Sequence, residues 1–375
     1  MTHTLGIVCG GRSGEHEVSL QSARGITLAV ERERFRPVLL AVDKQGQWRL
    51  GSLESLLLDP TDPARVRLNP AAPVVLPARV ASAAGAGRLA LLDATGRVLD
   101  TLDVAFPIIH GTDGEDGALQ GWLRMAGVPF VGADVLGSAI GMDKHVMKRL
   151  LAQAGLPSAR FAAAHPGEDF QALFERVRQE LGVPVFVKPA ALGSSVGVSR
   201  VTSRAEFEQA LAQAFRYDQK VLVEEAVPGR ELECSVLGNR LSPTHAPRAS
   251  LAGEIRPKRG FYSYAAKYLE ADGAELLVPA PLDAATLARV QALALRVFDV
   301  LECDGMARVD FFLRPDGQLL VNEINTLPGF TPISMYPKLW EASGLPFPKL
   351  VTQLVELALE REAQRRALVR DYHAT

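Results

Sequence analysis

Cysteine is scarce in this 375-residue chain: Cys9, Cys234 and Cys303 are the only three, and they stand far apart. Their spacing excludes a cysteine-ligated metal cluster, and Cys9, inside an apolar run, reads as a core residue. Long apolar runs are missing as well. None approaches the ~20 residues that span a bilayer. The opening Met1-Thr2-His3-Thr4-Leu5 lacks the charged and apolar regions of a signal peptide. Charge of one sign is also missing: Lys plus Arg number 41 against 43 Asp plus Glu. No global field therefore draws the chain to nucleic acid or to an anionic membrane. These absences leave a cytoplasmic α/β protein, long enough for two or three domains with ample cores.

The chain opens with a strand at 5–9, the turn Gly10-Gly11-Arg12-Ser13-Gly14, a helix over about 17–30 and a second strand at 37–42. This order predicts an open parallel sheet with its ligand edge at the strand C-termini. The glycines do not spell G-x-G-x-x-G, and only Asp43 follows the second strand as an acidic residue, which argues against a dinucleotide fold. Residues 51–100, rich in Pro, Ala and Leu, read as a peripheral insertion with hairpin punctuation at Asp93-Ala94-Thr95-Gly96. A third strand at 103–109 ends in the acidic loop His110-Gly111-Thr112-Asp113-Gly114-Glu115-Asp116-Gly117, ahead of a helix at 118–126.

A boundary near 132–141 gives domains at 1–135, 136–225 and 226–375. Asp143 caps a helix that runs to about Ala154 and stops at Gly155-Leu156-Pro157. Strands at 159–163, 185–188, 196–201 and 220–225, with helices at 169–181 and 203–215, form a small α/β unit. The last third holds strands at 230–237 and 250–255, a helix at 283–300, a hairpin, and a helix from about 346. The charges of that last helix, Glu360, Arg361, Glu362, Arg365 and Arg366, read as a solvated face.

The hairpin carries the strongest chemical signal. Its strands, Arg308-Val309-Asp310-Phe311-Phe312 and Leu320-Val321-Asn322-Glu323-Ile324-Asn325, are joined across Pro315-Asp316-Gly317. Alternation puts Arg308 and Asp310 on one face, and Glu323 and Asn325 on one face. Closure at Asp316-Gly317 sets Asp310 opposite Glu323 and Arg308 opposite Asn325, to within one residue of register. Opposed carboxylates repel unless a divalent cation lies between them, with the Asn325 carbonyl as a further hard ligand. The alternative is a merely solvated polar face.

Elsewhere, Lys188-Pro189-Ala190-Ala191-Leu192-Gly193-Ser194-Ser195-Val196-Gly197 is a strand end and a small glycine-bearing loop. Its N–H groups suit phosphate oxygens and its lysine supplies a cation. It is not a P-loop. Lys144 stands at a helix start, where the macrodipole disfavours a cation unless an anion binds there. Glu224-Glu225 ends a strand fit to line an adenosine pocket, with Glu231 a turn later. Residues 256–268 mix cations with aromatics, which suits a lid that excludes water better than a nucleic-acid surface.

Taken in order and spacing, these motifs resemble the ATP-grasp carboxylate–amine ligases, specifically the D-alanine–D-alanine ligases. The motifs are Gly10 through Ser19, His110 through Gly117, Met142-Asp143-Lys144, Lys188 through Gly197, Phe261 through Tyr268, Arg308-Val309-Asp310 and Asn322 through Gly329. The resemblance implies three α/β domains, with an N-terminal open parallel sheet and two α+β units clasping ATP. It implies ATP on Lys144, Lys188, Ser195, Glu224, Glu225, Val227, Glu231 and Asn322, and two Mg²⁺ or Mn²⁺ ions on Asp310, Glu323 and Asn325. Glu15, Ser194 and Tyr268 would form a hydrogen-bonded trio at the first D-alanine, beside His110. Arg308 and the Gly329 N–H would stabilise the oxyanion, Lys267 would reach the transferring phosphate, and Ser334 and Met335 would meet the second D-alanine. The implied reaction makes D-alanyl-D-alanine for peptidoglycan through an acyl phosphate, in a cytoplasmic homodimer. Lys267-Tyr268 argues for an amine rather than D-lactate as the second substrate. Ala190-Ala191-Leu192 and Glu225-Ala226 depart from the common family pattern, which bears on the adenine contacts. The competing readings are an ATP-grasp ligase with another second substrate and a nucleotide-binding regulator without turnover.

Overall fold

The computed structural model describes residues 2–81, 87–258 and 273–369. Its first sheet grows from β1 (His3–Gly10), whose Leu5, Ile7, Val8 and Cys9 are fully buried. Helix His16–Ala29 returns the chain to β2 (Phe35–Val42), which pairs parallel with β1. The stretch read as an insertion supplies β3 (Trp48–Gly51), the small pair β4 (Leu57–Leu58) and β5 (Arg67–Leu68), then β6 (Val74–Ala81), β7 (Gly87–Leu92) and β8 (Val98–Leu102). β9 (Val104–Pro107) closes the far side of β1, giving the order β8-β7-β6-β3-β2-β1-β9. Residues 51–100 thus extend the sheet at one edge by antiparallel strands. The β7–β8 hairpin turns at the expected place, where the Asp93 carboxylate accepts from the Thr95 and Arg97 N–H groups.

The second sheet has the order β10-β13-β11-β12, with β10 (Phe161–Ala164), β11 (Val185–Pro189), β12 (Ser199–Val201) and β13 (Val221–Glu225). Helices Phe170–Glu180 and Arg204–Ala214 cover one face; Asp169 caps the first, and Ser203 with Glu206 forms a capping box on the second. Its buried core residues run from Ala164 to Val223. The third sheet comprises β14 (Arg230–Gly238), β15 (Arg248–Pro257), β16 (Ala274–Leu277), β17 (Gly305–Leu313) and β18 (Leu319–Asn325), in the order β16-β15-β14-β17-β18. Helix Ala284–Val300 packs on it through Val290, Ala294, Val297 and Phe298, and Met147 and Leu151 join the same core.

The stretch at 132–141 read as a boundary contains a helix, Val135–Met142, capped by Asp134. One expectation is corrected. The charges of the terminal helix Phe347–Arg366 do not form a solvated face. Glu362 is buried between Arg365 and Arg366, and Arg361 donates to the Phe130 and Gly132 carbonyls while lying 4.9 Å above the Phe130 ring. Glu360 accepts from Ser242 and Thr244. Those carbonyls and hydroxyls replace the water these charges would otherwise hold. The helix therefore ties the first sheet to the third.

Candidate active site

The hairpin expectation holds: β17 and β18 pair Arg308 with Asn325 and Asp310 with Glu323. A bulge follows, with Phe311 opposite Val321, so Asn322 is the extra residue and faces a cavity beside Glu323. Val309, Phe311 and Ile324 are buried on the other face. The neighbouring β14 sets Glu233 opposite Asp310, so three carboxylates from three strands lie in a row. Arg308 binds two of them. Its Nε and Nη2 donate to Asp310 at 2.7 Å each, and Nε lies 3.1 Å from Glu233. Burial works against this guanidinium, but Asp310 and Glu233 outweigh it and hold it firmly protonated.

Two cavities meet above this row. The smaller, about 140 Å³, is lined by Glu15, His110, Ser194, Arg308, Asn325, Gly329, Ser334 and Met335, all anticipated from the sequence. Glu15 precedes helix His16–Ala29 but leaves its N–H groups alone; its carboxylate instead accepts from the Ser194 hydroxyl, 179 residues on. Ser194 and Ser195 both adopt left-handed φ, 52° and 60°, a strain that turns the loop back over Glu15. His110 sits early in the loop after β9, 3.1 Å from Ser22 Oγ and 3.6 Å from Glu115. Burial lowers its proton affinity, yet Glu115 and Glu15 more than offset this, and its pKa lies above the usual imidazole value. A Cβ at Gly329 would stand 2.7 Å from Ser334 Oγ, so a side chain there would have to displace that hydroxyl. Ser334 hydrogen bonds to Thr331 and leads into helix Met335–Ala342.

The larger cavity, about 550 Å³, is lined by Lys144, Lys188, Ser195, Glu224, Glu225, Val227, Glu231, Asn322 and Glu323. Lys144 opens helix Lys144–Gln153, whose N-cap Asp143 accepts from Val146 N–H as expected. Its ammonium donates to the Leu192 carbonyl at 2.7 Å and lies 3.5 Å from Glu323. Lys188 pairs with Glu224, and the Glu225 carboxylate is held by Arg160 at 2.7 Å. Lys144, Gly193, Ser194, Ile255 and Glu323 belong to both cavity walls. Asp310 lines neither cavity, since Arg308 clamps it. Lys267 and Tyr268, and the lid read at 256–268 beyond Lys258, lie outside the described residues.

Glu233, Glu115 and Ile255 line the smaller cavity without having been foreseen. Glu233 was findable, since Glu231 and Glu233 alternate with Leu232 and Cys234 on a central strand. The donor set fits a divalent cation. Glu323 and Asn325 line the cavities with oxygen donors, while both Asp310 oxygens are engaged by Arg308. Among the described residues, no three His, Cys, Asp or Glu side chains converge to hold a metal unaided. Magnesium takes one or two carboxylates and completes its shell with substrate phosphates and water.

A family model described as D-ala D-ala ligase N-terminus matches residues 4–133, and one described as D-ala D-ala ligase C-terminus matches residues 150–356. The chain belongs to the D-Ala–D-Ala ligase family. It is 51% identical over 365 residues to the D-alanine–D-alanine ligase A of Escherichia coli (strain K12), covering 97% of this chain and 98% of that one. Identity to the D-alanine–D-alanine ligase of Shouchella clausii is 49% over 366 residues, covering 97% and 96%. Among solved structures, the D-alanine-D-alanine ligase from Coxiella burnetii superposes with a TM-score of 0.82 at 36% identity, covering 97% of this chain and 96% of that one. The VanG D-Ala:D-Ser ligase from Enterococcus faecalis gives 0.81 at 31%, covering 96% and 100%. The three sheets are accordingly those of a three-domain ATP-grasp enzyme, as the D-Ala–D-Ala ligase motifs implied.

Proposed function

We propose that the chain joins two D-alanines into D-alanyl-D-alanine for peptidoglycan precursors, converting ATP to ADP and phosphate. The observation that carries the reading is the shared wall. A carboxylate in the small cavity and a terminal phosphate in the large one would meet at Lys144, Ser194 and Glu323.

A carboxylate is a poor electrophile, and phosphorylation gives it a leaving group. One carboxylate oxygen of the first D-alanine attacks the γ-phosphorus, and the bond to the β-phosphate oxygen breaks, releasing ADP. The amine nitrogen of the second D-alanine then attacks the acyl carbon. Inorganic phosphate leaves and the amine loses its proton. Glu15, held by Ser194, receives the first ammonium beside His110. Arg308 and the Gly329 N–H face the oxygen where negative charge develops, and Ser334 with Met335 offers a helix N-terminus to the second carboxylate. Lys144, Lys188, Ser195 and Asn322 hold the phosphates, with Glu224, Glu225, Val227 and Glu231 along the nucleoside. Asp310, Glu323 and Asn325 would hold the magnesium or manganese ions, which neutralise phosphate charge when bound. Lys267 and Tyr268 complete the set on sequence grounds.

No helix among the described residues is long and apolar enough to cross a membrane. A cytoplasmic homodimer is part of the same reading.

The test is ADP release from the purified chain with MgATP, with and without D-alanine, followed by mass detection of the product. D-Alanine-dependent ADP with a D-Ala-D-Ala signal is expected. D-Serine and D-lactate serve as rival second substrates. Turnover only with one of them would replace the product, and nucleotide binding without turnover would favour a regulator.

A further inference from the structure

Lys148 is a fully buried cation with no part in the chemistry above. Its side chain is 0% exposed and lines neither cavity. It follows Lys144 by four residues on helix Lys144–Gln153, so the two project from one face. The Lys148 ammonium lies 2.8 Å from Glu224 Oε1. It donates to the Ala159 carbonyl at 3.4 Å and sits 5.7 Å from the Phe161 ring centroid. The other Glu224 oxygen is taken by Lys188. A buried carboxylate is thus clasped between two lysines, one facing the nucleotide cavity and one behind it.

Burial pushes the Lys148 ammonium below the usual lysine range, against the pull of Glu224. Burial disfavours the charged form of Glu224, but its two lysines outweigh this and keep it ionised. The helix had a simpler option, because Met147 and Leu151 fill neighbouring core positions with apolar side chains. A charge buried where an apolar group would pack calls for a use.

That use follows from what Lys188 must do. To meet a phosphate it has to loosen its hold on Glu224. If Lys188 were the sole counter-ion, its departure would strand a buried carboxylate, and the carboxylate would pull it back. With Lys148 on the opposite oxygen, Glu224 stays neutralised whichever way Lys188 turns. We infer that Lys148 is a positioning residue for ATP: it supplies the standing counter-charge on Glu224 and so releases Lys188 to the phosphates. The inference rests on the reading of the larger cavity as the nucleotide site.

The experiment is a double-mutant cycle on the full-length protein, reading KM for ATP, KM for D-alanine and MgATP affinity by calorimetry. Lys148→Met is expected to raise KM for ATP by about tenfold while KM for D-alanine stays within about twofold. In the Glu224→Gln background, where nothing pins Lys188, adding Lys148→Met should change KM for ATP by less than about twofold. That pair also replaces two buried charges together, so it remains measurable if Lys148→Met alone does not fold. An equal Lys148→Met effect in both backgrounds, or none in the native background, would overturn the inference. Failure of the native protein to bind MgATP would instead remove the nucleotide assignment itself.

Discussion

Arg308→Lys is the sharpest probe of the site, because it preserves the charge and removes only the fork. Arg308 makes two parallel charge-assisted bonds to Asp310 and reaches Glu233 from the same nitrogen. Such bonds contribute about 1.5–3 kcal/mol each. A lysine ammonium cannot span both carboxylates and still point at the reacting oxygen. Losing one donor aimed at a developing oxyanion costs about 2.7–4 kcal/mol. The two losses overlap, so the larger sets the expectation: kcat falls about 10²- to 10³-fold. KM for ATP should hardly move, since Arg308 does not line the nucleotide cavity. Steady-state ADP release, with urea denaturation as a control on folding, measures both. Arg308→Met should also destabilise the protein by about 3–5 kcal/mol, because it breaks a buried ion pair. A well-folded Arg308→Lys with kcat within about threefold of native would refute the role.

Glu323→Gln should lower turnover strongly and raise the magnesium concentration needed for half-maximal rate; an unchanged magnesium titration would remove Glu323 from the metal set. Glu15→Gln should raise KM for the first D-alanine and leave ATP affinity intact, which calorimetry with MgATP can separate. Tyr268→Phe should loosen discrimination against D-lactate, read as the ratio of dipeptide to depsipeptide. His110 provides a pH test. Its pKa is raised in the folded state, chiefly by Glu115, so its protonated form stabilises the fold. That contribution is fully present below the unfolded value of about 6.5 and is lost as pH rises through the folded value. The stability advantage of native protein over Glu115→Gln should therefore be largest near pH 6 and shrink in alkali; growth with pH in urea titrations would contradict the pairing.

Much of this architecture was legible because local signals agreed. The Asp143 cap, the Gly155 stop and the spacing between them delimited a helix that the structure ends at Gln153. Asp316-Gly317 and alternation fixed the hairpin register to within one residue, and the bulge at Asn322, which no local signal announces, brings carboxylate against carboxylate. Helix Val135–Met142 escaped because its glycines look like breakers. In the fold they are contact surfaces: a Cβ on Gly137 would stand 2.6 Å from the Glu302 carbonyl, and one on Gly141 2.7 Å from Thr326. The terminal helix was misread for a related reason. Its charges sit at spacings that also suit a solvated face, and the carbonyls of Phe130 and Gly132 that Arg361 seeks lie more than two hundred residues away. Glu115 belonged to a loop already noted, but its bond to the Gly111 N–H and its approach to His110 exist only once that loop is folded.

The terminal helix also bears on how the molecule moves. One hydrophobic core runs from Leu5 and Phe106 through Met306 and Tyr336 to Leu354 and Leu357, so the first and third sheets are fused by shared apolar packing. The second sheet has a core of its own. It meets its surroundings through polar links such as Lys144 N–H to Ala190, Lys220 to Asp143 and Ser194 to Glu15. Apolar cores resist shear because every contact must be remade at once, whereas single polar links can be exchanged one at a time with water or substrate. On these contacts the second sheet is expected to shift more readily than the fused first and third sheets. Of the three polar links, only Ser194 to Glu15 has both partners on a cavity wall.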